Sequence, residues 1–113
     1  MATNIYKFFG KTSTAAETAT LLSPSLNETF VIKSIRVTNK SSVNTPTVTI
    51  KNNTFEIINT QTLVISTSIE LLSLSSPLIL EGGTTLTYTT AGTVTDGVVF
   101  SISFLNIKKD LVD

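Results

Sequence analysis

The chain contains no histidine, no cysteine and no tryptophan. The first two absences remove the Ser-His-Asp and Cys-His arrangements of nucleophilic catalysis and the usual zinc sites. Lack of cysteine also excludes a disulfide framework, without fixing a compartment. Lack of tryptophan leaves Tyr6 and Tyr88 as the amphipathic rings on which a sugar could stack, and both fall in strand-like segments. Charge is scarce and balanced, with eight basic and eight acidic residues making up 14% of the chain. No single-sign field therefore favours nucleic acid or an anionic membrane. No apolar run approaches the ~18 residues of a membrane helix. Met1-Ala2-Thr3-Asn4-Ile5-Tyr6-Lys7 lacks the basic, apolar and small-residue regions of a targeting signal. A soluble protein with neither a nucleic-acid nor a membrane partner is expected.

What the chain has in excess is threonine and serine, 21 and 13 of its 113 residues. Thr, with Val and Ile, favours the pleated, half-buried surface of a sheet. A Ser/Thr surface is polar without long side chains, so ordering it against a partner costs less rotamer entropy than ordering Lys or Glu. The length suits one domain, residues 1–113, which buries roughly two thirds of its unfolded surface.

Period-two alternation predicts strands and nothing predicts a helix. Val48 and Ile50 alternate with Thr47, Thr49 and Lys51; Leu86 and Tyr88 alternate with Thr85, Thr87 and Thr89. The clearest inward stripe is Val98, Phe100, Ile102 and Phe104, opposite Val99, Ser101 and Ser103. Core positions are thus Phe100, Ile102, Phe104, Val48, Ile50, Leu80 and Leu86. In Phe30 to Thr38 the apolar parity switches between Ile32 and Ile35, which predicts a bulge near Lys33-Ser34. Ile5 to Phe9 carries aromatics on both faces and reads as a short strand covered on both sides. Thr12 to Thr18 reads as a loop, Ala19 to Leu22 as a strand ended by Pro24. Asn52-Asn53 predicts a hairpin with Thr54 to Ile58 returning. Thr62 to Ile65 and Ile69 to Leu72 are further strands. Glu81-Gly82-Gly83-Thr84 is the strongest turn signal. Met1 to Asn4 reads as a short N-terminal arm and Lys108 to Asp113 as a charged C-terminal tail. The expected fold is an all-β, single-domain antiparallel β-sandwich, jelly-roll-like, of about eight strands.

Chemistry finds little foothold. Glu17, Glu28, Glu56, Glu70, Glu81 and Asp96 could supply a glycosidase pair but are scattered. Asn52-Asn53 with Glu56 could approach calcium, though a hairpin turn accounts for them better. Glu81-Gly82-Gly83 lacks the lysine and helix of a phosphate loop. Lys33, Arg36 and Lys40 read better as a solvated strand face than as a phosphate site. No catalytic, cofactor-binding or metal-binding residue is assigned and no cofactor is expected; the protein reads as a non-enzyme.

Four stretches carry a resemblance: Ser68 to Leu72; Pro77-Leu78-Ile79-Leu80-Glu81-Gly82-Gly83-Thr84-Thr85-Leu86-Thr87; the closing Val99 to Ile107; and, nearer the N-terminus, Ser34-Ile35-Arg36-Val37-Thr38-Asn39. Together they resemble the small β-sandwich virion structural proteins of tailed bacteriophages. Two places depart from that pattern: Ser73-Leu74-Ser75-Ser76 stands where Asp-Gly is usual before the proline, and Gly82-Gly83-Thr84 where Ala-Gly-Asp is usual. The resemblance implies a virion location and a non-enzymatic role, first as a capsid decoration or cement protein. A neck, tail or fibre-attachment component is one alternative, a receptor- or glycan-binding module another. Implied partners are the protein itself, as a homo-oligomer with a trimer favoured, and other virion proteins such as the major capsid protein.

Overall fold

The structure is a computed structural model and describes residues 2–72 and 77–109. Nine strands follow in order: β1 (Ala2–Ser13), β2 (Thr18–Leu22), β3 (Glu28–Asn39), β4 (Thr47–Asn52), β5 (Phe55–Thr62), β6 (Thr67–Leu72), β7 (Leu78–Leu80), β8 (Leu86–Ala91) and β9 (Val98–Lys109). They form two antiparallel sheets. One runs β1-β9-β3 and then β6, with β7 also on β3; the other runs β2-β8-β4-β5. The strands β6 and β7 share one edge of β3, β6 against Ile35–Asn39 and β7 against Phe30–Ile32. Counted as one interrupted strand, they give an eight-strand jelly-roll order, in which every connection except the β4–β5 hairpin crosses between sheets.

The inner faces close on one core. Val98, Phe100, Ile102 and Phe104 are buried along β9, and Ile32, Ile35 and Val37 along β3. From the opposing sheet come Val48, Ile50, Leu86 and Tyr88. Every expected core residue is therefore buried. The Tyr88 and Phe100 rings meet across the sheets, centroids 4.5 Å apart, and Phe30 tilts against Phe104 at 4.7 Å. These offsets suit the aromatic quadrupole.

The bulge expected in β3 is present: the register against β9 slips between Ile32 and Ser34, leaving Lys33 as the extra residue. The Glu81–Thr84 turn closes with the Thr84 N–H donating to the Glu81 carbonyl at 3.1 Å. Its glycines have separate reasons. Gly83 sits at φ 84°, a conformation glycine reaches without strain. A Cβ on Gly82 would lie 2.5 Å from the Ser25 carbonyl oxygen, so the loop before β3 can pack there only against glycine.

Several expectations are corrected. The first strand is twelve residues long, reaching Ser13, because Gly10 to Ser13 continue the ladder against Ser101 to Val98. It begins at Ala2, so Thr3 and Asn4 belong to a sheet instead of an arm. It is also not covered on both sides: Tyr6 and Phe8 are 76% and 68% exposed. The hairpin turn is Asn53-Thr54, with Asn53 at φ 55°, and its return strand extends to Thr62. Leu63 to Ser66 is the crossing from one sheet to the other instead of a strand. Lys108 and Lys109 end β9. Ser73 to Ser76 and Asp110 to Asp113 lie outside the described residues.

Candidate functional site

No concave pocket forms among the described residues, and no three of their Asp or Glu side chains converge as a metal site would require. The six carboxylates weighed for catalysis are kept apart. Glu17 lies before β2, Glu28 opens β3, Glu56 is on β5 and Glu70 on β6, while Glu81 and Asp96 sit in turns. Lys33 is the bulge residue, Arg36 faces Glu70 at 3.9 Å, and Lys40 lies beyond β3, so the basic trio does not converge. Asn53 is engaged in its hairpin, its Oδ1 accepting from the Thr85 N–H at 3.0 Å.

Three polar constructions hold the loops. At one end Asn39, buried, donates from Nδ2 to the Asn44 carbonyl at 2.9 Å, with longer contacts to the Leu63 and Val64 carbonyls. Its Oδ1 accepts from the Ser41 N–H at 3.0 Å, and the Ser41 hydroxyl accepts from the Val43 and Asn44 N–H groups. One asparagine thereby satisfies backbone groups from two crossing loops, as buried polar atoms demand. Beside it, the Tyr88 hydroxyl donates to the Glu17 carboxylate, which Ser13 also reaches at 3.3 Å. Burial, then the bond to Glu17, pushes the Tyr88 phenol up to about 12. At the opposite end, Glu28 accepts from the Ser25 N–H and from the Asn106 amide, both at 2.9 Å. Those two bonds hold its carboxyl below the usual carboxylate range. All three constructions are architectural; none exposes a reactive group to a cleft.

The feature that folding does not account for lies on the outer face of the five-stranded sheet. Directly opposed residues of an antiparallel pair share a face. Tyr6 opposes Leu105, Leu105 opposes Val31, and Val31 opposes Ile79, which makes one apolar row across β1, β9, β3 and β7. Ile107 flanks it on one side and Phe8 on the other. Leu105, Val31 and Ile107 are half-buried, whereas Tyr6, Phe8 and Ile79 stand largely free, Ile79 at 48%. Towards the other end of the same face the rows turn polar: Gly10, Ser101, Arg36 and Glu70, then Thr12, Val99, Thr38 and Ser68. A contiguous exposed apolar patch with a polar border marks an interaction site more often than a scattered surface leucine does.

The stretches Pro77 to Thr87 and Val99 to Ile107 carry the resemblance, but neither exposed this row. The signal was there: the outward parity of β9 passes from Ser101 and Ser103 to Leu105 and Ile107, and Leu78-Ile79-Leu80 is apolar at both parities. No family model matches the chain, and no curated protein is similar enough to match it.

Proposed function

We propose that this protein is a non-enzymatic structural protein of a bacteriophage virion, a capsid decoration or cement protein that associates with itself and braces the particle. The observation that carries the reading is the Tyr6–Leu105–Val31–Ile79 row, an apolar surface spanning four strands on a chain without a pocket among its described residues. Such a row suits docking onto a larger protein surface, the major capsid protein being the partner that the resemblance implies. Copies arrayed on a particle multiply weak contacts through effective concentration. A trimer is the number the resemblance favours. The balanced charge supports neither nucleic acid nor membrane as partner.

Copy number on purified particles of the encoding phage tests this. Hundreds per particle agree with decoration; a dozen or fewer point to the neck, tail or fibre-attachment alternative; absence overturns a virion role. The second reading, a glycan-binding module, draws on the exposed Tyr6 ring, since tyrosine can serve as a sugar platform. Binding on a glycan array that disappears in Tyr6→Ser, with no protein on the particle, would favour it.

A further inference from the structure

The edges of the two sheets differ in how well they are protected. An open edge recruits other strands unless it is short, bulged or interrupted. The strand β2 has five residues and a register shift between Thr20 and Leu22. Along β5 the ladder slips twice against β4, and Thr60 takes φ 51°. On the far edge of the five-stranded sheet the short strands β6 and β7 split the edge between them, and the β6 register slips at Ile35/Arg36. The strand β1 carries two lysines, Lys7 and Lys11, but is neither short, bulged nor interrupted. It runs twelve residues against β9 without a shift, and no strand among the described residues pairs its other side. Its exposed residues include three large apolar ones, Tyr6 and Phe8 on the outer face and Ile5, 49% exposed, on the inner one, beside the exposed Lys7.

We infer that β1 pairs edge to edge with β1 of a second copy, antiparallel, about a two-fold axis through Phe8, joining two five-stranded sheets into one. The inference rests on the self-association part of the reading above. Its register follows from β1 itself. For the two outer faces to lie on the same side, residues of like parity must oppose one another. An axis at Lys7 sets Lys7 against the partner's Lys7, and an axis at Phe9 sets Lys7 against the partner's Lys11; like charges opposed across a ladder repel. An axis at Tyr6 or Gly10 avoids this but pairs a shorter stretch. With the axis at Phe8, every residue from Thr3 to Ser13 is paired. Lys7 then faces the partner's Phe9, and Ile5 faces the partner's Lys11, so each lysine stem lies along an apolar neighbour. Tyr6 faces the partner's Gly10, and an aromatic ring opposite a strand glycine covers the backbone that the glycine leaves bare. The two lysines thus select a register and do not close the edge. A ladder of this length supplies roughly ten backbone hydrogen bonds, as many as a standard protein interface carries. The contact is isologous, so it makes dimers, and in a trimer-based assembly it links one trimer to the next.

The chain has no cysteine, so single-cysteine variants report the contact without background. Phe8 and Tyr6 are both largely exposed, and replacing either leaves the core intact. Opposed Cα atoms in a ladder lie about 4.5–5.5 Å apart, within disulfide range. Under mild oxidation Phe8→Cys should form a covalent dimer at micromolar concentration, and Tyr6→Cys, offset from its own copy, should not. Sedimentation of the unmodified protein should show a concentration-dependent dimer, weakened at least roughly tenfold in Phe8→Lys, which sets two ammonium groups face to face. A strict monomer, or cross-linking equal in both cysteine variants, overturns the proposal. Neither result alters the copy number on the particle, so this inference can fail while the virion reading stands, and the reverse.

Discussion

The two outer faces of the sandwich are backed by the same core and built from different residues. On the four-stranded sheet the outward positions are threonine in row after row: Thr18, Thr89 and Thr49 oppose one another, then Thr20, Thr87 and Lys51. Two of these hydroxyls are already paired, Thr18 with Thr89 at 2.9 Å. On the five-stranded sheet the corresponding rows begin as Thr, Ser and Val and end as Tyr6, Leu105, Val31 and Ile79. Both faces satisfy a pleated strand equally well, because β-branched and aromatic side chains both suit it. On the function proposed above, the difference reflects what each face meets. Threonine suits water and casual neighbours; the apolar row suits a partner. The same alternation that identifies the core cannot tell these faces apart, whereas the outward residues can.

The largest test of the comparison lies beneath the faces. Phe104→Ala on the five-stranded sheet should cost about 3–5 kcal/mol, and Leu86→Ala on the other about 2–5 kcal/mol, as cavity-forming changes do. Chemical denaturation of both would show one cooperative core serving two surfaces; a loss below ~1 kcal/mol in either, typical of surface changes, would show that its stripe is not core. Next comes Asn39→Ala, which strips partners from carbonyls of two crossing loops. A loss of roughly 1–3 kcal/mol is expected, the range for orphaning buried polar groups.

Each sheet also carries one titrating anchor, and the two have opposite signs. Tyr88 belongs to the four-stranded sheet, and its phenol is raised to about 12. Its contribution is complete below the ordinary tyrosine value near 10 and fades as pH rises towards the folded value. Tyr88→Phe should cost about 1–2 kcal/mol at neutral pH and flatten the alkaline limb of a stability profile. Glu28 belongs to the five-stranded sheet, and its carboxyl is depressed. Its contribution is present above the ordinary glutamate value and is lost as pH falls through the folded one. Glu28→Gln should flatten the acid limb, with a smaller melting-temperature shift than Tyr88→Phe because the group is only half-buried. The smallest effect is Thr89→Ala, within about 0.5 kcal/mol by the same denaturation and without consequence for self-association. A change in sedimentation caused by Thr89→Ala would erase the distinction between the faces.

Local pattern carried the fold a long way. The stripe Val98 to Phe104 and the alternation of Thr47 to Lys51 are properties of single strands, and the structure places them as expected. The β3 bulge was legible because an extra residue is what lets both halves of one apolar run face inward after the parity switches. What local pattern could not carry was coverage. Ile5 to Phe9 looks like a strand buried on both faces, yet its place at a sheet edge leaves Tyr6 and Phe8 bare. Gly10 to Ser13 has little strand preference and becomes strand because β9 runs alongside it. Leu63 to Ile65 is apolar enough for a strand, yet it serves the crossing: Leu63 is buried and its N–H bonds the Pro46 carbonyl. The role of Asn39 needs two loops from distant parts of the chain, so no window of sequence contains it. The apolar row is of the same kind, since four strands contribute one residue each.

The single extra residue in β3 bears on how this chain can change length. Before Lys33 the inward residues are Phe30 and Ile32; after it they are Ile35 and Val37. Side chains alternate with period two, so Lys33 works as a parity counter between the two halves of the strand. Deleting it alone turns Ile35 and Val37 outward and Arg36 into the core, or drags Asn39 away from the loops it holds. Insertions and deletions in the Lys40 to Pro46 or Gly92 to Gly97 connections need keep no such count. Loop length thus carries no parity count, whereas β3 admits only changes that leave its parity intact.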